Sequence, residues 1–142
     1  PSVFERAKRR YKNVNCVFFR SGTSFTAGGS VFRAVRAEHS DTEAVGVIIS
    51  CEGKDLYITG DTLYSESVFE SLPENLNCYA VFLPINGRGN NMNADDAARF
   101  LKRVKHDFAV PMHFGLFDDL SGRELVCENA VIPEIYKEIT FR

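Results

Sequence analysis

The sequence predicts an α/β chain of the α+β kind, a mixed sheet with helices on one face. Through residue 59 the apolar residues come as short runs or alternations between turn clusters, the mark of a β-rich part. From residue 60 the pattern changes to strand–helix–strand–helix–strand, which fits a sheet covered by helices on one side. Short apolar strands with helices on one side leave the sheet's other face bare, and something must cover it.

The elements follow in order. Residues 2–12 read as a short basic helix, with Val3, Phe4, Ala7 and Tyr11 on one face and Arg6, Lys8, Arg9, Arg10 and Lys12 mostly off it, as a solvated face would be. Asn13-Val14-Asn15 breaks it, and residues 16–19 read as a short buried strand. Turn clusters at Ser21-Gly22 and 27–30 flank a short extended piece. Residues 31–37 alternate and end in the polar run 38–42. Residues 44–49 form a nearly continuous apolar strand, and after a tight turn at 52–55 residues 56–59 return antiparallel. A helical stripe of Tyr64, Val68 and Leu72, with Phe69 beside it, ends at Pro73. Residues 79–85 are a buried strand, followed by a polar loop over 86–92. Asn93 is an N-cap, with Asp95 and Asp96 in the first turn and Lys102, Arg103 and Lys105 in the last, an order that suits the helix dipole. Its buried face is Ala97, Phe100, Leu101 and Val104. Residues 108–112 form the next strand, residues 114–120 an aromatic loop, and Ser121 to Glu124 has capping-box form and starts a short helix. Residues 132–141 alternate as a terminal strand.

At 142 residues the chain is one domain or part of one. Its 17 Lys and Arg against 19 Asp and Glu give a net charge of −2, which argues against broad attraction to nucleic acid or anionic membrane. No apolar run approaches the roughly 18 residues a membrane span needs. The basic start has no apolar stretch behind it, so it is not a secretory signal. The chain begins at Pro1, which fits either Met removal or a cut from something longer. Cys16, Cys51, Cys78 and Cys127 are too far apart for zinc-ribbon spacing and read as reduced core thiols of a cytoplasmic protein.

The candidate chemistry sits at strand ends, where a rigid sheet fixes ligands and loops leave room for substrate. His39 ends one strand pattern, Asp61 in Ile-Thr-Gly-Asp-Thr ends another, and His113 ends a third. Two imidazoles and a carboxylate suit Zn²⁺, Mn²⁺ or Fe²⁺, and a carboxylate can bridge two metals. Taken singly, Asp61 also reads as a helix cap, His39 as a loop histidine bonded to backbone, and His113 as a core histidine. Their coincidence at the ends of one sheet carries the metal reading. His106 lacks that placement.

Five stretches in order carry a resemblance: 37–41 around His39, Tyr57-Ile58-Thr59-Gly60-Asp61-Thr62, Leu83-Pro84-Ile85-Asn86-Gly87-Arg88, Asn91-Met92-Asn93 before an Ala-Ala helix, and Val110-Pro111-Met112-His113. Over about residues 14 to 120 the chain resembles the metallo-β-lactamase superfamily, in its branch of hydrolases like L-ascorbate-6-phosphate lactonase. The resemblance implies an αββα sandwich. It makes His39 a ligand of a first metal (Zn or Mn), Asp61 the bridging and catalytic carboxylate, and His113 a ligand of a second. It places Arg88, Asn90, Asn91 and Asn93 near a phosphorylated, sugar-like lactone or ester. The bland reading of that loop is a Gly-rich turn before an N-cap. The superfamily's His-x-His-x-Asp-His motif is absent from this sequence. The resemblance therefore makes residues 1–142 a single half-domain, the C-terminal part of the fold. It would hold an incomplete two-metal site and be inactive alone. Two alternatives stand beside that hydrolase: a non-catalytic half-domain that self-associates or binds its missing half, and a phosphate- or nucleotide-binding module built on Gly87-x-Gly89.

Overall fold

The computed structural model describes all residues except Pro1, Lys12, Val14, Leu116, Phe117 and Arg142, and the side chains of Ser2 and Val3. Helix α1 (Ser2–Arg10) precedes strands β1 (Ser24–Ala27), β2 (Ser30–Arg36), β3 (Val45–Cys51) and β4 (Lys54–Ile58). Helix α2 (Glu66–Glu70), β5 (Asn77–Pro84), α3 (Ala94–Leu101) and β6 (Lys105–Met112) follow. The strands form one mixed six-stranded sheet in sequence order. Neighbours are antiparallel from β1 to β4, and β4, β5 and β6 run parallel. The two parallel connections carry α2 and α3. Successive right-handed crossovers in one direction put both helices on the same face.

The two faces follow from the register. On the helix face Ile48, Tyr57, Val81 and Ala109 lie side by side across β3 to β6, all buried. Val68 of α2 and Ala97, Phe100 and Leu101 of α3 close over them. The other face carries an apolar row of Phe25, Phe32, Ile49, Leu56, Ala80 and Phe108 and a second of Ala34, Val47, Ile58, Phe82 and Val110. Apart from Ala34, Ala80 and Val110, these residues are only half-buried. The C-terminal segment covers the β5–β6 end of that face, where Phe141 packs on Tyr79 and Phe108 with ring centroids 5.4 and 5.1 Å apart.

Several elements differ from the sequence reading. Residues 16–19 are not a buried strand: Cys16, Val17 and Phe18 are exposed, and the segment has no strand partner. Its rings find other rings instead, Phe18 on Phe4 and Phe19 on Phe25. Residues 132–141 are not a terminal strand either. A turn at Ile135–Tyr136, with Tyr136 at φ 60° and Lys137 N–H bonded to Glu134 O, breaks the alternation. Among the described residues the free edge of β6 is met by a single bridge from Ala109 to Ala130. At Ser121 the capping contact forms, Ser121 N–H to a Glu124 carboxylate oxygen at 3.1 Å, but it closes a turn rather than a helix. Helix α3 ends at Leu101, so Lys102 is its C-cap and Lys105 opens β6. Arg103 binds Glu66 in the first turn of α2 instead of serving the last turn of α3. Helix α2 is a short core of the predicted stripe. Tyr64 and Leu72 pack on the same cluster from outside it.

Candidate metal centre

The turn after β4 positions the site. Gly60 has φ 68°, and a Cβ there would stand 2.7 Å from Val45 O, so only glycine fits. Gly46 is pressed as closely from the other side, since its Cβ would lie 2.7 Å from Thr59 O. The two glycines let β3 and the exit of β4 touch backbone to backbone, and Asp61 comes next.

Thr62, fully buried, ties three segments together. Its hydroxyl accepts from Glu38 N–H at 2.8 Å and donates to Leu63 O at 3.1 Å. Leu63 N–H returns a bond to Glu38 O at 2.9 Å, and Thr62 O accepts from Met92 N–H at 2.8 Å. The loop after β2, the Asp61 turn and the loop before α3 are thus held at one rim. His113 arrives from the end of β6 at φ 54°, a left-handed conformation that swings it out of the strand direction; such backbone strain clusters at functional sites.

The structure brings the three predicted ligands together. His113 Nε2 lies 2.8 Å from Asp61 Oδ1, and His39 Nε2 lies 3.9 Å from Asp61 Oδ2. Each imidazole therefore faces a different oxygen of one carboxylate. His39 Nδ1 is 3.1 Å from Ser40 Oγ, a contact that orients its ring. Behind His39, Glu38 accepts from Ser67 Oγ at 2.8 Å and from Arg36, which holds its carboxyl below the ordinary range; the Ser67 bond is the larger cause. Two neutral imidazole nitrogens around a carboxylate form the donor set of a borderline divalent cation. Among the described residues, however, no group of three or more His, Cys, Asp and Glu side chains is gathered closely enough to hold an ion by itself. The donors fit a metal in kind.

A cavity of about 710 Å³ opens beside them, lined by Asn86, Arg88, Gly89, Asn91, Phe114 and Asp118 as well as the three candidate ligands. Arg88 and Asn91 reach it, whereas Asn90 and Asn93 are not among its lining residues. Asn90 stands in the loop at φ 65°. Asn93 Oδ1 accepts from Asp96 N–H at 2.8 Å and caps α3. Asn91 is buried, and its side-chain oxygen has no hydrogen-bond partner among the described residues. Asp118 went unnoticed in the sequence. One of its oxygens accepts from Gly115 N–H at 2.9 Å and Leu120 N–H at 3.1 Å, and the carboxylate lines the cavity. The available signal was an Asp-Asp pair in an aromatic loop, where Asx turns are common.

A sheet with helices on one face and imidazoles flanking a Gly-Asp-Thr carboxylate at its rim defines a class of metal-site folds. The chain belongs to the β-lactamase superfamily domain family, whose model matches residues 1–114. It is 29% identical over 136 residues to a metal-dependent hydrolase of Thermoplasma volcanium, covering 90% of this chain and 60% of that protein. Among solved structures it is similar to a candidate metal-dependent hydrolase from Parabacteroides distasonis, with a TM-score of 0.68 at 20% identity, covering 90% of this chain and 61% of that one. It is also similar to a metallo hydrolase from Ignicoccus hospitalis, with a TM-score of 0.64 at 25% identity, covering 81% of this chain and 51% of that one. The α+β fold matches these neighbours. The chain spans about 60% of the length of the relatives it matches first. No helix among the described residues is long and apolar enough to cross a membrane.

Proposed function

We propose that this chain is the C-terminal half-domain of a metal-dependent hydrolase, acting on a phosphorylated sugar lactone or related ester, and that it is inactive without its other half. The observation that carries the reading is the placement of His39 and His113 beside opposite oxygens of Asp61, so that the three side chains could share divalent cations. His39 would hold one divalent ion, Zn or Mn, His113 the other, and Asp61 both. The remaining ligands would come from outside this polypeptide. When bound, such a pair supplies Lewis acidity and an acidified water. The chain's own residues do the rest. Thr62 keeps Glu38, and through it His39, against the Asp61 turn. Arg88 offers a fork suited to a phosphate, and Asn91 lines the same cavity. Phe114 walls the cavity.

The test uses the complete protein. Metal content is measured by elemental analysis, and hydrolysis is followed on a phosphorylated sugar lactone. Asp61→Ala is expected to lose about half the bound metal or more, and hydrolysis by at least about a hundredfold, since a bridging ligand serves both ions. Unchanged metal content and hydrolysis would discard the reading.

A second reading is favoured by the apolar rows on the sheet's second face. It takes the chain as a non-catalytic half-domain whose bare face binds a second copy or the missing half. The module built on Gly87-x-Gly89 has less support: Asn93 itself fills the Asp96 amide that such a module would offer a phosphate.

A further inference from the structure

We propose that His106 and Cys127 form a base–thiol pair that makes Cys127 the site at which this chain exchanges with small-molecule disulfides. The pair lies at the start of β6, seven residues before His113 and so about 23 Å along the strand from the candidate metal centre.

The hydrogen bonds of His106 fix its protonation pattern. Nδ1 sits 2.7 Å from Val104 O, and a carbonyl only accepts, so Nδ1 carries the proton of the neutral ring. Nε2 is then the bare nitrogen, and it faces Cys127 Sγ at 3.7 Å, where the thiol is the donor it can accept from. Backbone contacts independent of either side chain hold the thiol there. Ala130 N–H bonds to Cys127 O, Ala109 N–H to Asn129 O, and Val131 N–H to Ala109 O at 2.8 Å, which staples the turn carrying Cys127 to the strand carrying His106. Cys127 is half-buried, flanked by exposed Val126 and Glu128, and packs against the edge of the core, which leaves the residue partly open to a small reagent.

The other cysteines set the contrast. Cys78 is the ladder partner of His106 on β5, yet it is fully buried, and burial pushes its thiol up to about 12. It is the inert thiol of the set. Cys16 and Cys51 are exposed and have no histidine contact among the described residues. Only Cys127 combines access with a fixed base.

The step balances without an outside oxidant other than the disulfide itself. Cys127 Sγ attacks one sulfur of the small disulfide, and His106 Nε2 takes the thiol proton. The reagent's S–S bond breaks as the new one to Cys127 forms, and the proton passes from His106 to the departing thiolate.

The experiment treats the chain with dithiodipyridine. It follows release of the chromophore and locates the mixed disulfides by site-resolved mass spectrometry. Cys127 is expected to react first, about tenfold or more ahead of exposed Cys51. This wild-type ranking needs no variant. His106→Asn keeps an amide donor for Val104 O but offers no base. It should slow Cys127 by about tenfold or more and leave Cys51 unchanged, and Cys127→Ser should abolish the fast phase. Cys127 reacting no faster than Cys51, or at an unaltered rate in His106→Asn, overturns the proposal.

Discussion

Gly60→Ala tests the argument that places Asp61. At φ 68° an alanine adopts a left-handed conformation costing about 1–2 kcal/mol, offset by about 0.4–1 kcal/mol because the unfolded chain loses freedom. The new Cβ would also stand 2.7 Å from Val45 O, a backbone atom on β3 that cannot rotate away. Relieving that approach shifts one strand against another, which overpacking data put at about 1–3 kcal/mol. The net loss is therefore about 1–4.5 kcal/mol, a substantial part of the roughly 5–15 kcal/mol that holds a typical domain folded. Gly53→Ala is the control. It shares a left-handed φ of 75°, but nothing lies within 4 Å of its Cβ, so about 1 kcal/mol is expected from conformation alone. Urea denaturation followed by far-ultraviolet circular dichroism gives both numbers. Equal midpoints for the two variants would mean that the Val45–Gly60 approach does not hold the Asp61 turn.

The Glu38 carboxyl, held low by Ser67 and Arg36, makes its contribution to stability above its unfolded pKa and loses it as pH falls through the lower folded value. Carbon-detected NMR should show Glu38 titrating below an ordinary glutamate and Ser67→Ala moving it upward; no movement would assign the shift to something other than that hydroxyl. The bare second face predicts that the isolated chain sediments as a self-associated species at micromolar concentration. A clean compact monomer would show that the half-buried rows around Phe32, Ile49 and Leu56 tolerate water.

Much of the sheet was legible because its chemistry is local. The alternation of β2, the apolar runs of β3 and β5 and the Asn93 cap are each set by neighbours a few residues apart, and each appears where the pattern put it. The strand readings that failed lie toward the two ends of the chain. Residues 16–19 and 132–141 have strand-like composition, but a strand also needs an edge to pair with. Among the described residues the edge of β6 accepts the Ala109–Ala130 bridge before the chain turns at Ile135–Tyr136. Composition records the propensity of a segment and is silent on whether a partner edge is free.

The candidate ligands were legible for a different reason. A sheet places the ends of its parallel strands on one rim, so a residue just past β4 and one just past β6 approach each other whatever lies between. Asp61 and His113 needed only that. His39 follows an antiparallel strand, and topology alone does not bring it to Asp61. The buried Thr62 hydroxyl and the return bond from Leu63 do so, through the backbone of Glu38. The threonine of Gly-Asp-Thr is thus a backbone clamp more than a ligand-side group, a role invisible in its letter because its partner lies 24 residues away. Asp118 stayed hidden for the same reason. What makes it a candidate for substrate contact is its place on the cavity wall, which exists only after folding.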